Sequence, residues 1–424
     1  MKKIIRIIIA ICLTAAFTVN ISCGAKAPDE NDLSSTSEQE NTSSFTEETT
    51  SSEPETLFSS TEEFEALKNN VDAIAGNYSA TAVQAAVIKD GKLYCTYEYG
   101  MADKEQQKTV TPDTKFRIAS LSKLVTDIIF IALCDEGKVS LDADISEYLG
   151  FRVRNPYYPD TVITPAMLMS HTGSIIDTYA FLNSRNSGSS TPIKNLLTTD
   201  AFSYAKPGTV YSYSNFSVAL IGCIAELVTD TPFEDLAKKY VFSPLGIDAG
   251  FTASSLVNRE LIATLYGNGG YTVSQQLALS WHPTLGQSHH LVQGNLTISA
   301  RDYINIAAVL ANGGESADGI RLISEDGAKQ LLEVRYDNGS FCSCFGLIKQ
   351  SGVIDGLELC THTGSNFGMF SAFAIDPETG NGVVVLTSGA TGVKDNSTDI
   401  YRICLDIIRE MFPDTITTDG EIYG

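Results

Sequence analysis

Two Ser-x-x-Lys tetrads in the sequence could supply a nucleophile for acyl transfer. On a helix this spacing places serine and lysine on one face a turn apart, so the amine can take the hydroxyl proton during attack on a carbonyl. The two tetrads are Ser120–Lys123 and Ser203–Lys206. Average serine and lysine usage generates such a tetrad about once or twice in a chain of this length. Spacing alone therefore does not identify the nucleophile.

The residues that follow each tetrad distinguish the two. Ser203–Lys206 is followed by Pro207-Gly208, which disfavours a helix and predicts a loop. Ser120 instead opens a run with helical apolar periodicity, which ends before Gly137 and contains Leu124, Val125, Ile128, Ile129 and Ala132. At a helix start, free backbone N–H groups favour developing negative charge. We therefore predict Ser120 as the nucleophile and Lys123 as its proton-handling partner.

The segment before Ser120 and a downstream Tyr-x-Asn motif carry a family resemblance. Thr111–Ser120 resembles the segment leading into the nucleophile helix of class C β-lactamases and related D,D-peptidases. Among the Tyr-x-Asn matches, Tyr213–Asn215 lies in a context, Pro207–Phe216 followed by a helical pattern, that is similar to the family signature. Two other matches, Tyr266–Asn268 and Tyr336–Asn338, look like turns. The resemblance implies that Tyr213 shuttles a proton with Lys123 and that Asn215 donates to the substrate amide.

The third motif of this family, Lys/His-Thr/Ser-Gly, also has two matches, His171–Gly173 and His362–Gly364. The family places it after Tyr-x-Asn on a strand that lines the cleft, which selects His362, Thr363 and Gly364 for substrate binding. The resemblance implies an oxyanion hole formed by the backbone N–H groups of Ser120 and Ser365. A side chain at Gly364 would obstruct the approach of the backbone to substrate. His171–Ser174 resembles a structural loop of the family, and we expect it to support the cleft.

Strand patterns at both ends of the chain flank a mainly helical middle. A helical pattern surrounds residues 64–74, Asp90-Gly91 predicts a hairpin between strands at 84–88 and 93–100, and residues 120–334 are largely helical in pattern. Later strands are predicted at 345–349, 357–360, 369–375 and 382–386, with a closing helix at 399–411. The resemblance spans about residues 62–411. It implies an α+β fold of the β-lactamase/transpeptidase type, in which an antiparallel sheet flanked by helices joins an all-helical region.

The N-terminus predicts export. Lys2, Lys3 and Arg6 precede an apolar stretch over residues 7–19, and residues 20–24 resemble a lipoprotein box. We predict a signal peptide at 1–22 and lipidation of Cys23, with ordinary cleavage near residues 25–27 as the alternative. An acidic Ser/Thr-rich linker at 23–60, a hydrolase domain at 61–415 and a tail at 416–424 complete the organisation. The expected product is an exported lipoprotein attached to the membrane, or otherwise a secreted protein.

The composition argues against nucleic acid as a partner, and the sequence contains no recognisable cofactor or metal motif. A formal net charge of −22 argues against nucleic acid, which requires clustered lysine and arginine. The cysteines lack the paired spacing of zinc sites, and most are expected to be small buried residues, with a Cys342–Cys344 link left open. His282, His289 and His290 lie in a stretch without a recognisable metal-ligand spacing, which we interpret as a surface or cleft-rim loop. No metal or organic cofactor is implied.

These residues predict an acyl-enzyme on Ser120 that water resolves, with Tyr213 and Lys123 as the base pair that the class C resemblance implies. A histidine in the third motif resembles D,D-carboxypeptidases, D-aminopeptidases and some esterases of the family, whereas β-lactamases usually carry lysine. We therefore expect D,D-carboxypeptidase-like hydrolysis of D-amino-acid peptides of the cell wall. An esterase or a class C-type β-lactamase acting on another small acyl substrate is the enzymatic alternative. A non-hydrolytic penicillin-binding sensor or wall-binding module is the alternative of another class.

Overall fold

The computed structural model describes residues 61–184, 191–267, 269–287, 289–339 and 341–413. The predicted signal peptide (1–22), the lipidation site Cys23, the linker (23–60) and the tail (416–424) lie outside the described residues.

Strands from both ends of the chain form one nine-stranded antiparallel sheet, with the order β3-β2-β1-β11-β10-β9-β8-β7-β6. The first long strand pairs with the last, with Ala82 opposite Ser388 and Ile88 opposite Gly382. Strands β4 and β5 form a separate two-stranded pair. The strands are β1 Ala82–Lys89, β2 Lys92–Asp103, β3 Lys108–Thr109, β4 Phe116–Arg117, β5 Thr297–Ile298, β6 Tyr336–Asp337, β7 Cys342–Ser343, β8 Ile348–Gln350, β9 Leu359–Asn366, β10 Met369–Ile375 and β11 Gly382–Ser388.

Helices cover both faces of the sheet and fill the segment between β4 and β6. They are α1 Thr61–Asn77, α2 Ser122–Asp135, α3 Ile145–Leu149, α4 Pro165–Met169, α5 Tyr179–Ser184, α6 Ile193–Leu196, α7 Asn215–Thr229, α8 Phe233–Ala237, α9 Val273–Leu277, α10 Ala300–Ala307, α11 Glu325–Leu332 and α12 Arg402–Met411. Among the residues that the structure describes, no single helix is long and apolar enough to cross a membrane. Helix α7 and the segment Phe233–Phe242 are long and apolar enough only when taken together, and the two are bent by 86° relative to each other.

Strand β1 is buried on both faces because it separates two hydrophobic cores. Val83, Ala85 and Val87 belong to the core beneath α1 and α12, whereas Ala82 and Ala86 belong to the core beneath α2 and α10. Alternate residues of a strand point to opposite faces, so a strand covered on both sides is largely apolar, and Gln84 is the buried polar exception in β1. The sheet therefore lies between an α1–α12 layer and the larger helical region.

Helices α2 and α7 pack against each other and bring their N-terminal turns together. Helix α2 is buried from Ser122 to Leu133 and ends before Gly137, whose φ of 68° is the left-handed conformation typical of a helix C-terminus. Helix α7 is N-capped by the Ser214 side chain, which accepts from the Ser217 backbone N–H. These two helix starts supply Lys123 and Asn215 to one site.

The structure corrects several predicted element boundaries. The predicted strand at 345–349 is a strand only over β8, because Phe345 and Leu347 are buried in a loop whose Gly346 has a φ of 56°. Tyr336 lies in β6 and not in a turn. The closing helix starts at Arg402 because Asp399, at φ 57°, cannot join a right-handed helix. The sulfurs of Cys342 and Cys344 are not joined, and all seven described cysteines are free.

Candidate active site

Ser120 lies in a tight 3₁₀ turn, Ala119–Leu121, directly before α2. Ala119 has a φ of 51°, a left-handed conformation that alanine rarely adopts. The Ser122 hydroxyl stabilises this conformation by donating to the Ala119 carbonyl at 2.6 Å, and the Ile118 N–H donates to the Leu296 carbonyl at 2.9 Å. Strain that surrounding contacts hold in place is frequent at functional sites. Here the strained residue lies immediately before Ser120.

Lys123 is fully buried and its Nζ has three hydrogen-bond neighbours. They are the Gln293 carbonyl at 2.6 Å, Asn215 Oδ1 at 2.9 Å and Ser120 Oγ at 3.1 Å. A neutral amine can donate to the first two, which only accept, and direct its lone pair at the Ser120 hydroxyl. Burial lowers the pKa of Lys123 to about 7, although the Asp177 and Asp127 charges oppose this shift. Lys123 is therefore placed to act as a base near neutral pH.

Tyr213 donates its hydroxyl to Ser120 Oγ at 2.9 Å. Although 40% of the side chain is exposed, desolvation raises its pKa well above the usual range; the hydrogen bond to Ser120 lowers it and the Asp177 charge raises it further. Tyr213 is thus a protonated phenol in the resting site. The arrangement gives Ser120 Oγ one neighbour that can accept its proton and another that can donate one.

Strand β9 forms the other wall of the site. Strand β8 pairs with Leu359–Thr361, so on this edge of β9 no strand of the described residues lies beside His362 and the residues after it. A Cβ added to Gly364 would lie 2.4 Å from Ser371 Oγ, 2.7 Å from the Ile118 carbonyl oxygen and 3.1 Å from the Ser120 nitrogen. The strand therefore packs directly against the nucleophile turn, next to the predicted oxyanion donors of Ser120 and Ser365. Their role in an oxyanion hole stays a prediction.

His362 is neutral in this site. Its Nδ1 lies 2.7 Å from the Thr363 carbonyl oxygen, so Nδ1 carries the hydrogen and Nε2 is left as an acceptor. Burial, and secondly the Lys123 charge, lower the pKa of His362 to about 3. Its ring centroid is 6.1 Å from that of Tyr213. The third motif consequently contributes no permanent positive charge to the cleft.

A sequence model described as Beta-lactamase matches residues 67–405. The chain belongs to the β-lactamase family. Penicillin-binding protein 4 of Amycolatopsis lactamdurans is 26% identical over 336 residues, which are 78% of this chain and 86% of that protein. A D-aminopeptidase of Brucella anthropi is 26% identical over 248 residues, 57% of this chain, and the match spans only 45% of that protein.

The structural comparison supports the same fold. A β-lactamase/D-alanine carboxypeptidase from Pseudomonas syringae superposes with a TM-score of 0.61 at 20% identity, covering 82% of this chain and 98% of that one. The family resemblance and the α+β fold predicted from the sequence are confirmed. This β-lactamase-family protein is accordingly a serine hydrolase of the β-lactamase/D,D-peptidase type.

Asp177 belongs to the site although no sequence motif indicated it. Its carboxylate accepts from Asn215 Nδ2 at 2.8 Å, from the Phe216 backbone N–H at 2.8 Å and from the Ser214 hydroxyl at 3.2 Å. It thereby holds the start of α7 and orients the Asn215 amide so that Oδ1 faces Lys123. Its sequence signal is weak: a single acidic residue shortly after the His171–Ser174 loop. The Gln293 carbonyl has no side-chain signal at all.

The His171–Ser174 loop supports Tyr213 in this family member. His171 has a φ of 57°, its Nδ1 accepts from the Ser214 backbone N–H at 3.3 Å, and its ring centroid lies 4.6 Å from that of Tyr213. Burial lowers the pKa of His171 well below its usual range, so it is neutral. The loop therefore packs against the ring of Tyr213, and none of its hydrogen bonds in the described part of the chain joins it to a predicted site residue.

The motif matches and histidines that were not assigned to the site have other contacts. Ser203 is in the predicted loop, where its N–H donates to the Ser174 carbonyl at 2.8 Å, and the Tyr266 hydroxyl donates to Glu105 at 2.7 Å. Tyr336 packs with Tyr211 and Phe341. His289 and His290 pack beside Phe181. Within the described ranges, no group of His, Cys, Asp and Glu side chains is arranged to hold a metal ion.

Proposed function

We propose that this protein hydrolyses peptides of the cell wall that contain D-amino acids, through an acyl-enzyme on Ser120. The observation that carries the proposal is the position of Ser120 Oγ, 3.1 Å from Lys123 Nζ and 2.9 Å from the Tyr213 hydroxyl. The third motif begins with His362, where β-lactamases usually carry lysine, and this supports a peptide substrate over a β-lactam. Relatives named as a D-aminopeptidase and a penicillin-binding protein support it further.

Acylation follows from this geometry. Ser120 Oγ forms a bond to the scissile carbonyl carbon while its proton passes to Lys123 Nζ. The resulting oxyanion lies at the N–H groups of Ser120 and Ser365. As the carbon–nitrogen bond breaks, Tyr213 gives its proton to the leaving amine and recovers one from Lys123. Lys123 ends neutral, as it began.

Deacylation repeats these proton transfers with water. The Tyr213–Lys123 pair takes a proton from water while the water oxygen forms a bond to the ester carbon. When the bond between this carbon and Ser120 Oγ breaks, the pair returns a proton to Ser120 Oγ. The net reaction is an amide plus water giving an acid and an amine. Removal of a C-terminal D-residue, the D,D-carboxypeptidase form, is one version of this reaction, and ester hydrolysis and β-lactam hydrolysis are its chemical alternatives.

A panel of four acyl donors tests the proposal against those alternatives. Wild-type protein and Ser120→Ala are incubated with fluorescent penicillin, a peptide ending in D-Ala-D-Ala, nitrocefin and a short-chain ester. We expect cleavage of the peptide by the wild type and none by the variant. Equal behaviour of the two proteins on all four compounds would remove the enzymatic proposal. Stable penicillin labelling without turnover of any compound would favour a penicillin-binding sensor.

We also propose that Cys23 anchors the exported protein to the membrane through lipid. Two acyl chains give stable attachment, and the acidic linker is long enough to hold the enzyme about 30 Å from the membrane surface. Metabolic labelling with radioactive palmitate should mark the wild type and leave Cys23→Ser unlabelled. Labelling that survives this substitution would contradict the anchor.

A further inference from the structure

Two consecutive carbonyl groups, those of Val292 and Gln293, accept hydrogen bonds from helix α2. The Thr126 hydroxyl donates to the Val292 carbonyl at 2.8 Å, and Lys123 Nζ donates to the Gln293 carbonyl at 2.6 Å. Lys123 and Thr126 are three residues apart, so their side chains lie on one face of the helix. All four residues are buried. The carbonyl that binds the amine of Lys123 therefore belongs to a segment of backbone that Thr126 also holds.

The hydrogen bond from Thr126 fixes a direction that packing alone does not. The Val292 side chain packs on Gly222 of α7, where an added Cβ would lie 2.7 Å from a Val292 methyl carbon. Apolar packing is not directional, whereas a hydrogen bond prefers a nearly linear donor and an acceptor lone pair near the carbonyl plane. A second acceptor, the Ser122 carbonyl, lies farther from Thr126 Oγ1, at 3.3 Å. The hydroxyl is thus directed mainly at Val292 and orients the peptide group between Val292 and Gln293.

The orientation of the Lys123 amine depends on this segment. A neutral amine has two N–H bonds and one lone pair. The Gln293 carbonyl and Asn215 Oδ1, at 2.6 and 2.9 Å, take both N–H bonds, so the lone pair faces Ser120 Oγ at 3.1 Å. If the Gln293 carbonyl moves, the amine is free to rotate about its Cε–Nζ bond, and an N–H bond can replace the lone pair at Ser120. A displacement of about 1 Å can cost about 10²-fold in rate.

We propose that Thr126 is a positioning residue for the base. Its hydrogen bond to the Val292 carbonyl holds the following peptide group in place, so that the next carbonyl directs the Lys123 lone pair at Ser120. Thr126 acts through this backbone and exchanges no proton with Ser120 or the substrate. The inference rests on the proposed function, in which Lys123 accepts the Ser120 proton. It adds a residue that lies outside the three sequence motifs of the site.

The charges around Lys123 come from residues other than Thr126. The titratable side chains that interact with Lys123 through their charge or ring are Asp127 on α2, Asp177, His171, Tyr213 and His362 on β9. Valine is β-branched like threonine and lacks only the hydroxyl donor, so Thr126→Val leaves each of these groups in place. A change in the basicity of Lys123 in this variant therefore reports the lost hydrogen bond.

Three variants of the full protein isolate the hydroxyl. Thr126→Val removes it, Thr126→Ser retains it, and Thr126→Ala lacks it at a size close to that of serine. The matched control is Thr229→Val, because the Thr229 hydroxyl donates to a carbonyl within α7, that of Ala225, at 2.7 Å. Exhaustive labelling of Ser120 by a fluorophosphonate counts the folded enzyme in each sample. Stopped-flow acylation by a short-chain ester between pH 5 and 9 then gives the rate per labelled site.

Thr126→Val should acylate about 10- to 100-fold more slowly per labelled site than the wild type at high pH, with the half-saturating ester concentration unchanged. The pH midpoint of acylation, near 7 in the wild type, should fall, because an ammonium loses more than a neutral amine when its acceptor is displaced. Thr126→Ser should retain most of the rate, Thr126→Ala should match Thr126→Val, and Thr229→Val should match the wild type. Should Thr126→Val yield no labelled site, the serine and alanine variants make the same comparison.

The failures of the inference and of the proposed function differ. A normal rate per labelled site and an unchanged midpoint in Thr126→Val, even with fewer labelled sites, would mean that Thr126 only stabilises the fold, and this result would overturn the inference. Equal rates in Thr126→Ser and Thr126→Ala would also overturn it. A wild type that neither the ester nor the D-Ala-D-Ala peptide acylates, as judged against Ser120→Ala, would instead remove the proposed function.

Discussion

Lys123 must be neutral before it can accept the Ser120 proton. Burial lowers its pKa to about 7, so the amine is protonated and inactive below that pH and free above it. We expect the acylation rate of Ser120 to rise with pH around a midpoint near 7. Stopped-flow acylation between pH 5 and 9, with an ester that does not itself ionise in this range, measures it. A rate independent of pH across this range would assign the base to another group.

The same burial destabilises the fold. A lysine with a lowered folded-state pKa binds fewer protons than the unfolded chain between about 7 and the ordinary value of 10.5, so wild-type stability should rise over that range. Lys123→Met removes the penalty and also three hydrogen bonds. We expect this inactive variant to be more stable by roughly 1–3 kcal/mol at pH 6, with a smaller gain at pH 9. Urea unfolding at both pH values measures the difference in stability between variant and wild type. A larger gain at pH 9 than at pH 6 would contradict the predicted pH dependence.

Gly364 keeps β9 against the nucleophile turn. A methyl group there would lie 2.7 Å from the Ile118 carbonyl oxygen and 3.1 Å from the Ser120 nitrogen, so Gly364→Ala must displace the strand or the turn. A displacement of about 1 Å can cost about 10²-fold in rate. We expect acylation to fall by that order while the protein remains folded. Single-turnover acylation and circular dichroism measure the two effects, and a normal acylation rate would show that the strand does not bound the site.

Candidate site residues could be selected from the sequence where a motif has a fixed spacing and order. Ser120, Lys123, Tyr213 and the His362–Gly364 motif were selected in this way, and the structure brings them together. Asp177 and the Gln293 carbonyl were not selected. A backbone carbonyl has no sequence signature, and a single carboxylate becomes part of a site only through the packing of a distant helix. Local sequence cannot encode such a contact.

At the scale of elements, the loop between β7 and β8 fits onto α2 at Gly346. A Cβ at Gly346 would lie 2.4 Å from Asp127 Oδ2, and its φ of 56° is left-handed. Gly346→Ala should therefore cost about 1–3 kcal/mol from overpacking, in addition to the backbone strain of about 1–2 kcal/mol. Chemical denaturation of the variant measures the sum.

A double-mutant cycle separates the clash from the strain. Asp127→Ala removes the carboxylate that the new Cβ would contact. In that background, Gly346→Ala should therefore lower the free energy of unfolding by the strain contribution alone, without the overpacking contribution. The strain share should remain, because φ does not depend on Asp127. Strictly additive effects of the two substitutions would mean that the loop does not pack on α2 as described.

The boundaries of helices and strands could be predicted from the sequence where the spacing of apolar residues alone determines them. The strand predicted at 369–375 has the bounds of β10, and the apolar run after Ser120 is α2. The interval 345–349 was misread because buried loop residues such as Phe345 and Leu347 have the composition of a strand. Burial is a property of the packed fold, so composition cannot distinguish a buried loop from a buried strand.

At the scale of the whole molecule, one sheet separates the layer that holds the proposed site from a second hydrophobic core. Strands β1 and β11 come from opposite ends of the chain and pair along their length. The sequence predicted strands at both ends of the chain and an antiparallel sheet, but not the order of the strands, which long-range packing determines. The proposed site lies on the face covered by α2, whereas α1 and α12 cover the other face. Stability and catalysis can therefore be perturbed on separate faces.

Two alanines in α1 test this separation. Ala75 is buried beneath the sheet in the second core, whereas Ala73, half a turn away, is exposed. Ala75→Asp places a carboxylate in an apolar site and should cost about 3–5 kcal/mol, while Ala73→Asp should stay within about 0.5 kcal/mol of the wild type.

Denaturant unfolding compares the two variants, and burst acylation counts the competent Ser120 in each. Because the sheet lies between α1 and the nucleophile, the folded fraction of Ala75→Asp should acylate at the wild-type rate despite its lower stability. Equal stabilities of the two variants would place α1 outside the core. A slower burst in the folded fraction of Ala75→Asp would show that the sheet transmits strain from this layer to Ser120, so that the two faces are coupled.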